Sequence, residues 1–317
     1  MTATALFRRW LWAWLFSLPL LALAIWGIVD NERLFFVTTL NGLTLAALYF
    51  LVASGFTLVF GLLRNVNLAH GSLYLLGAYV GWVVGEWLGS WFLAVAAGFL
   101  FAAFMGLLLQ IGVFRFMHGQ DLRQTMATIA LSIIAADIAL WIWGGEIYQF
   151  DPPRWIVGST ALPIVGKFAT YRLVLLAMAI VIGLALWWFL ARTRVGMMIR
   201  AGVDDRAMLS AAGVNVNMLF AVTFAIGAGL AGFGGVIGAV ELSMAPGEDV
   251  RLLLASLIVV IIGGMGSVVG AGLGATILGL AETYGLAYAP TYSAVFTFVI
   301  LVLVLAFRPR GFLGRPA

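Results

Sequence analysis

Residues 192–217 read RTRVGMMIRAGVDDRAMLSAAGVNVN, and they interrupt a chain that is otherwise a succession of hydrophobic runs. Most other connections are only a few residues long. This one is long enough to fold into an element of its own and dock against something. Asp204 and Asp205 are expected to begin a short helix, where acids suit the positive end of the dipole, and Gly213 to end it in a left-handed cap. Ala207, Met208, Ala211 and Ala212 fall on one stripe at helical spacing, with Arg206 and Ser210 on another face. A short helix with a small apolar knob fits a groove on a partner surface. A helix lying on a bilayer would carry larger apolar residues than alanine.

Working outward from that loop, the chain has 317 residues, 64% of them apolar and 9% charged, with a mean hydropathy of +1.11. Soluble domains carry roughly 25% charged residues. A chain this apolar cannot cover itself with polar groups in water, so its solvent is lipid. No stretch has the composition of a large soluble domain. The net charge of +4 resides in short loops and is no nucleic-acid signature. With no cysteine, disulfides and thiolate metal sites are excluded. Arg8 and Arg9 precede a run from Trp10 to Val29 that lacks a small-residue cleavage site, so it reads as a retained span rather than a signal peptide.

Ten hydrophobic segments follow one another at 10–29, 37–63, 66–85, 91–114, 124–143, 172–191, 218–240, 252–265, 268–285 and 291–307. Strand-like alternation is absent, so the expected fold is all-α: a polytopic membrane protein of about ten transmembrane segments, including short or broken helices. Twelve of the 17 basic residues fall on one side of this arrangement (Arg8, Arg9, Arg64, Arg115, Arg123, Arg192, Arg194, Arg200, Arg206, Arg308, Arg310, Arg315) and five on the other (Arg33, Arg154, Lys167, Arg172, Arg251). The positive-inside rule places the twelve, and both termini, in the cytoplasm. That result requires a hairpin at Gly263-Gly264-Met265-Gly266-Ser267. Leu252 to Ile262 would rise only ~17 Å as a helix, against a hydrocarbon core of ~30 Å. Such a segment either lines a pathway or is a short helix buried among neighbours. Five spans in each half also allow an inverted repeat.

Glycines and alanines recur four apart at Gly77-Gly81-Gly85, Gly227-Ala231-Gly235-Ala239 and Gly266-Gly270-Gly274. This spacing lets helix backbones approach closely, within the chain or across a subunit interface. Asp137 and Glu282 lie inside hydrophobic segments and need a partner or water; structural, vestibule-lining and proton-relay roles all suit them. His70 opens a helix, where hydrogen bonding is the simple reading; the other histidine, His118, is too distant in sequence to suggest a metal pair. The phosphate-binding loop needs lysine followed by serine or threonine, and the one lysine, Lys167, is followed by Phe168. No enzyme motif is present, and no cofactor site is expected in this chain.

The stretch Asn41 to Tyr79, NGLTLAALYFLVASGFTLVFGLLRNVNLAHGSLYLLGAY, resembles the N-terminal signature of branched-chain amino acid ABC transporter permeases, with Asn67-Leu68-Ala69-His70-Gly71 as its centre. Arg200 through Asn215 is similar to that family's cytoplasmic coupling segment. Ile262 to Ala271 is similar to its second glycine signature, and Phe307 to Gly314 to its usual ending. The outer loop Gly144–Tyr171 has no close match. The resemblance implies a single permease domain over 1–317, with 192–217 as a coupling loop, in a bacterial inner membrane. It implies a second, commonly different, permease subunit, two cytoplasmic ATPases that use ATP, and a periplasmic substrate-binding protein. Coupling then falls to Arg200, Asp204, Asp205, Arg206, Ala207, Met208, Ala211, Gly213 and Asn215. The translocation pathway falls to Asn41, Ser54, Asn67, His70, Ser72, Gly263, Gly264 and Gly266. The identified lining holds no fixed arginine or carboxylate pair, so weak substrate affinity is expected. Relatives carrying urea, short amides or organic acids share the pattern, and a stand-alone proton-coupled carrier using Asp137 or Glu282 is the reading from another class.

Overall fold

The computed structural model describes residues 3–63, 67–117, 119–308 and 310–314, with backbone alone at 3–26, 28–30, 62–63, 203–204 and 294. Eleven α-helices account for most of the described chain: α1 Ala3–Leu63, α2 His70–Leu88, α3 Trp91–Gly112, α4 Asp121–Trp143, α5 Thr170–Arg192, α6 Arg194–Asp204, α7 Arg206–Ala211, α8 Val216–Glu241, α9 Glu248–Gly263, α10 Val268–Tyr288 and α11 Ser293–Phe307. The all-α membrane architecture expected from the sequence is the one observed. All ten hydrophobic segments coincide with helices, although the count of ten spans is approximate. Five described helical stretches are long and apolar enough to cross a membrane, and α9 with α10 makes a sixth if that bent pair is one span.

The first two segments form one run, α1, that breaks at Asn31. There the backbone turns extended (φ −154°, ψ 92°), and the Asn31 Oδ1 accepts the Leu34 N–H at 3.0 Å, restarting the helix as an N-cap does. Between α9 and α10 the axis turns by 116°. The hairpin expected at Gly263–Ser267 is therefore present. Gly264 takes φ +101° and Gly266 φ +78°, conformations open to glycine, and Ser267 caps α10 by accepting the Gly270 N–H at 3.0 Å.

Without a hydrophobic driving force between helices in lipid, close packing must hold them together. The small-residue stripes supply it within the chain. A Cβ on Gly55 of α1 would strike the Gly227 carbonyl of α8, and one on Gly235 would strike the Tyr74 carbonyl of α2. The contacts fall into two matching sets. α3 packs along α8 as α10 packs along α1; α2 meets α3 and α4 as α9 meets α10 and α11. The second part of α1, α2, α3 and α4 thus pack in a pattern like that of α8, α9, α10 and α11, except that α10 also packs on α11.

At one end of the bundle lie α6, α7, the α9–α10 turn and the tail after α11, with Gly61 of α1 against Gly266. At the other lies the 144–169 loop, which carries a two-stranded antiparallel hairpin, β1 Ser159–Leu162 and β2 Gly166–Ala169, not anticipated from the sequence. The Arg33 Nε donates to the Val165 carbonyl of its turn at 3.2 Å, and Tyr148 pairs with Met244. Arg172 joins α5 to α8 through Glu241 (2.6 Å) and to α1 through the Asn41 Oδ1 (2.7 Å). α4 stands apart: it packs on α2, and among its residues only Gln124, Thr128 and Ala139 are buried.

Candidate functional site

Two places combine polar chemistry with a position that packing alone does not require. The first is α7. Asp205 caps it, its Oδ1 accepting the Met208 N–H at 3.0 Å. Gly213 (φ +83°) closes it, with the Val214 N–H reaching back to the Leu209 carbonyl. Leu209 is buried against Gly202 and Phe220, and the Arg206 guanidinium lies 4.5 Å over the Phe220 ring. These anchors turn Ala207, Met208, Ala211 and Ala212 outward, all exposed, Met208 by 73%. The small-faced helix read from the sequence is therefore one turn and a half long and held from behind.

Three neighbours differ from that reading. Asp204 belongs to the last turn of α6, a helix not anticipated, and its side chain lies outside the described residues. The Arg200 guanidinium turns back to the Ala191 carbonyl at 3.4 Å. Asn215 caps α8, accepting the Met218 N–H at 3.1 Å, which gives it a structural role.

The second place is where α2 and α9 begin. Their first turns cross deep in the bundle, because Gly71 leaves no Cβ between α2 and the Asp249 carbonyl. The Asn67 Oδ1 accepts the Ala69 N–H at 3.1 Å, and Leu68 donates to Thr128 of α4 at 3.2 Å. The His70 ring, fully buried, lies beside Phe56 and places its Nε2 3.1 Å from the Val52 carbonyl of α1, a bond between helices where a helix-start bond was expected. Ser72 meets Ser132, the central residue of α4, at 2.9 Å. The Ser72 hydroxyl also points at the Asp249 Oδ2, at a long 3.5 Å. The Asp249 Oδ1, Asn67 Nδ2, His70 Nδ1 and Tyr79 hydroxyl are buried without a partner within the described residues.

The structure thus gathers Asn67, His70 and Ser72 and disperses the rest of the expected pathway set. Ser54 is buried nearby on α1 but bonds to the Leu51 carbonyl of its own helix at 2.8 Å. Asn41 holds Arg172 toward the hairpin end. Gly263 and Gly264 pack against Gly270 and the tail, and Gly266 against Gly61, at the α7 end. Asp249 was missed because Glu248-Asp249-Val250-Arg251 reads as a loop before an apolar run. The signal that could have found it is helical phase: residues 249, 252, 253, 256 and 260 share a face, and apart from Asp249 they are Leu, Leu, Ser and Val. One carboxylate, absent from the expected pathway set, therefore lies beside Ser72. Arg251, assigned to an outer loop, lies in the first turn of α9 and pairs with Glu282 at 3.3 Å, while Tyr49 donates to the other Glu282 oxygen at 2.6 Å. Asp137 is exposed on α4. His118, Arg64, Asn65, Val66, Pro309 and Arg315 lie outside the described residues, as do the side chains of Arg8 and Arg9.

The profile of the family "Branched-chain amino acid transport system / permease component" matches residues 38–305. The chain is 32% identical over 305 residues to the high-affinity branched-chain amino acid transport system permease protein LivH of Salmonella typhimurium, covering 91% of this chain and 98% of that one. It is 30% identical over 292 residues to the corresponding protein BraD of Pseudomonas aeruginosa, covering 87% and 94%. The autoinducer 2 import system permease protein LsrC of Yersinia pestis is 27% identical over 268 residues, covering 80% of this chain and 72% of that one.

Proposed function

Because the chain belongs to the family of permease components of branched-chain amino acid transport systems, we propose that it is the membrane-spanning subunit of an ABC importer for leucine, isoleucine, valine or closely related solutes. In this reading the α7 end faces the bacterial cytoplasm, with both termini, and the β-hairpin end faces the periplasm of an inner membrane. Two separate ATPases hydrolyse ATP and dock on α7 and its counterpart in a second permease subunit, most simply a different chain. A periplasmic binding protein delivers the solute.

The observation that carries the reading is the exposed small-residue face of α7, braced by Leu209 and Arg206. A groove on an ATPase accepts such a knob. The pathway follows from the polar residues gathered at the start of α2, since polar groups in lipid-facing positions would be costly.

The test is uptake of radiolabelled L-leucine into proteoliposomes. Uptake is expected only when this chain is assembled with a second permease and ATPases, with ATP on the α7 side and binding protein on the other. Uptake by the lone chain under a pH gradient would refute the ABC reading. Carriage of urea or a short amide in place of leucine would refute the substrate class.

A further inference from the structure

Two acids that are partly buried in this bundle are paired. Glu241 holds Arg172, and Glu282 holds Arg251 and Tyr49. Asp249 is 3% exposed and, among the described residues, has no cation beside it; its polar contact is the 3.5 Å approach from Ser72. Its near neighbour in sequence, Arg251, is engaged by Glu248 and Glu282. An unpaired acid at membrane depth costs at least ~2.5 kcal/mol, and an apolar residue of similar size would serve packing better. An acidic side chain suits the first turn of α9, but that explains its tolerance there, not its burial.

The surroundings of Asp249 are graded. Ser132 and Ser72 form a short hydroxyl chain leading to one carboxylate oxygen. Two turns further along the same face of α2, the Tyr79 hydroxyl is buried and, among the described residues, unpartnered. The Tyr79 ring stacks on Trp143 with centroids 4.6 Å apart, and Tyr148 meets it edge-on at 6.1 Å. The carboxylate is met by a hydroxyl chain, and aromatic rings lie further along α2, chemistry that receives an ammonium group.

We propose that Asp249, with Ser72 and Ser132, forms a site in the translocation route that holds the primary ammonium group of the solute as it crosses. This deepens the function proposed above and rests on it for the identity of the solute. The site acts on the ammonium alone, so it passes leucine, isoleucine and valine alike and leaves the side chain unread.

The absence of cysteine from the chain permits a direct test. Ser132→Cys is introduced into the assembled transporter in nanodiscs. Modification of this chain is followed by mass spectrometry with aminoethyl methanethiosulfonate, which is cationic, and sulfonatoethyl methanethiosulfonate, which is anionic. After normalisation to a free thiol, the cationic reagent is expected to react at least about tenfold faster, as a nearby unpaired carboxylate dictates. Adding Asp249→Asn should bring the ratio near unity, with assembly verified by co-elution of the subunits. Isoamylamine and L-leucine should slow the cationic reagent, and 4-methylpentanoate, which lacks the ammonium, should not. Equal rates, a cysteine that stays unreactive with ATP, with ADP and during turnover, or a charge preference that survives Asp249→Asn would overturn the proposal. Protection by isoamylamine without protection by L-leucine would leave the ammonium site standing and overturn the branched-chain substrate. Leucine uptake without the charge preference would do the reverse.

Discussion

The backbone N–H of Phe312 donates to the carbonyl of Ile262 at 2.9 Å, and that of Leu313 donates to Gly263 at the same distance. The last turn of a helix leaves carbonyls without intrahelical partners. Here the C-terminal tail satisfies those of α9, and Gly264 is the residue that lets the two backbones touch.

Gly264→Val should therefore be destabilising on two counts, a left-handed φ of +101° and a collision with Gly314. The expected loss is roughly 1–3 kcal/mol. Deleting residues 311–317 should cost a similar amount by stranding two carbonyls. Thermal unfolding in detergent checks both, and unchanged melting in either variant would show that the tail does not hold the turn.

Gly227 and Gly55 set the approach of α1 to α8, each lying against the other's carbonyl. Gly227→Leu is expected to force the two helices apart and prevent recovery of a monodisperse protein. Gly213→Ala meets nothing within 4 Å and pays only for its backbone conformation, so it should lower stability by about 1 kcal/mol. Size-exclusion profiles and melting curves separate the two effects; equal tolerance would contradict the packing.

Glu282 lies between Tyr49 and Arg251. Removing the arginine alone, as in Arg251→Leu, takes the partner from a partly buried carboxylate and should cost roughly 1 kcal/mol. The double variant Arg251→Leu/Glu282→Gln removes the charge and keeps an acceptor for Tyr49, so most of that loss should be recovered. Additive losses in a double-mutant cycle would mean that the pair is not coupled.

Replacing Ala207 or Ala211 by Trp overfills the exposed face of α7 without touching its anchors. ATPase activity stimulated by loaded binding protein is expected to fall at least about tenfold, the effect of a contact weakened by 1.4 kcal/mol, while melting of the isolated permease stays put. Leu209→Ala should instead lower the melting temperature, since Leu209 is buried. Undiminished stimulation in both tryptophan variants would remove α7 as the coupling element.

Much of this fold was legible from local pattern. In lipid every backbone polar group must be satisfied within the segment, so hydrophobic runs of sufficient length have to be helices, and their positions follow from composition. The turn at Gly263–Ser267 was legible for the same reason: a run too short to span, followed by glycines. Asp205 and Gly213 delimit α7 through bonds three to five residues away, well within the range a one-dimensional reading can see.

What only the tertiary structure decided are the pairings between residues far apart in sequence. Asp249 and Ser72 are separated by 177 positions, Tyr49 and Glu282 by 233, and no periodicity within a single segment relates them. Glycine stripes announce that helices come close but not which helices, because a missing Cβ carries no partner identity. That is why Gly263, Gly264 and Asn215 could be read as functional residues while the structure uses them for packing and capping. Asp249, outside every hydrophobic segment of the sequence, is a buried acid because α9 begins inside the bundle.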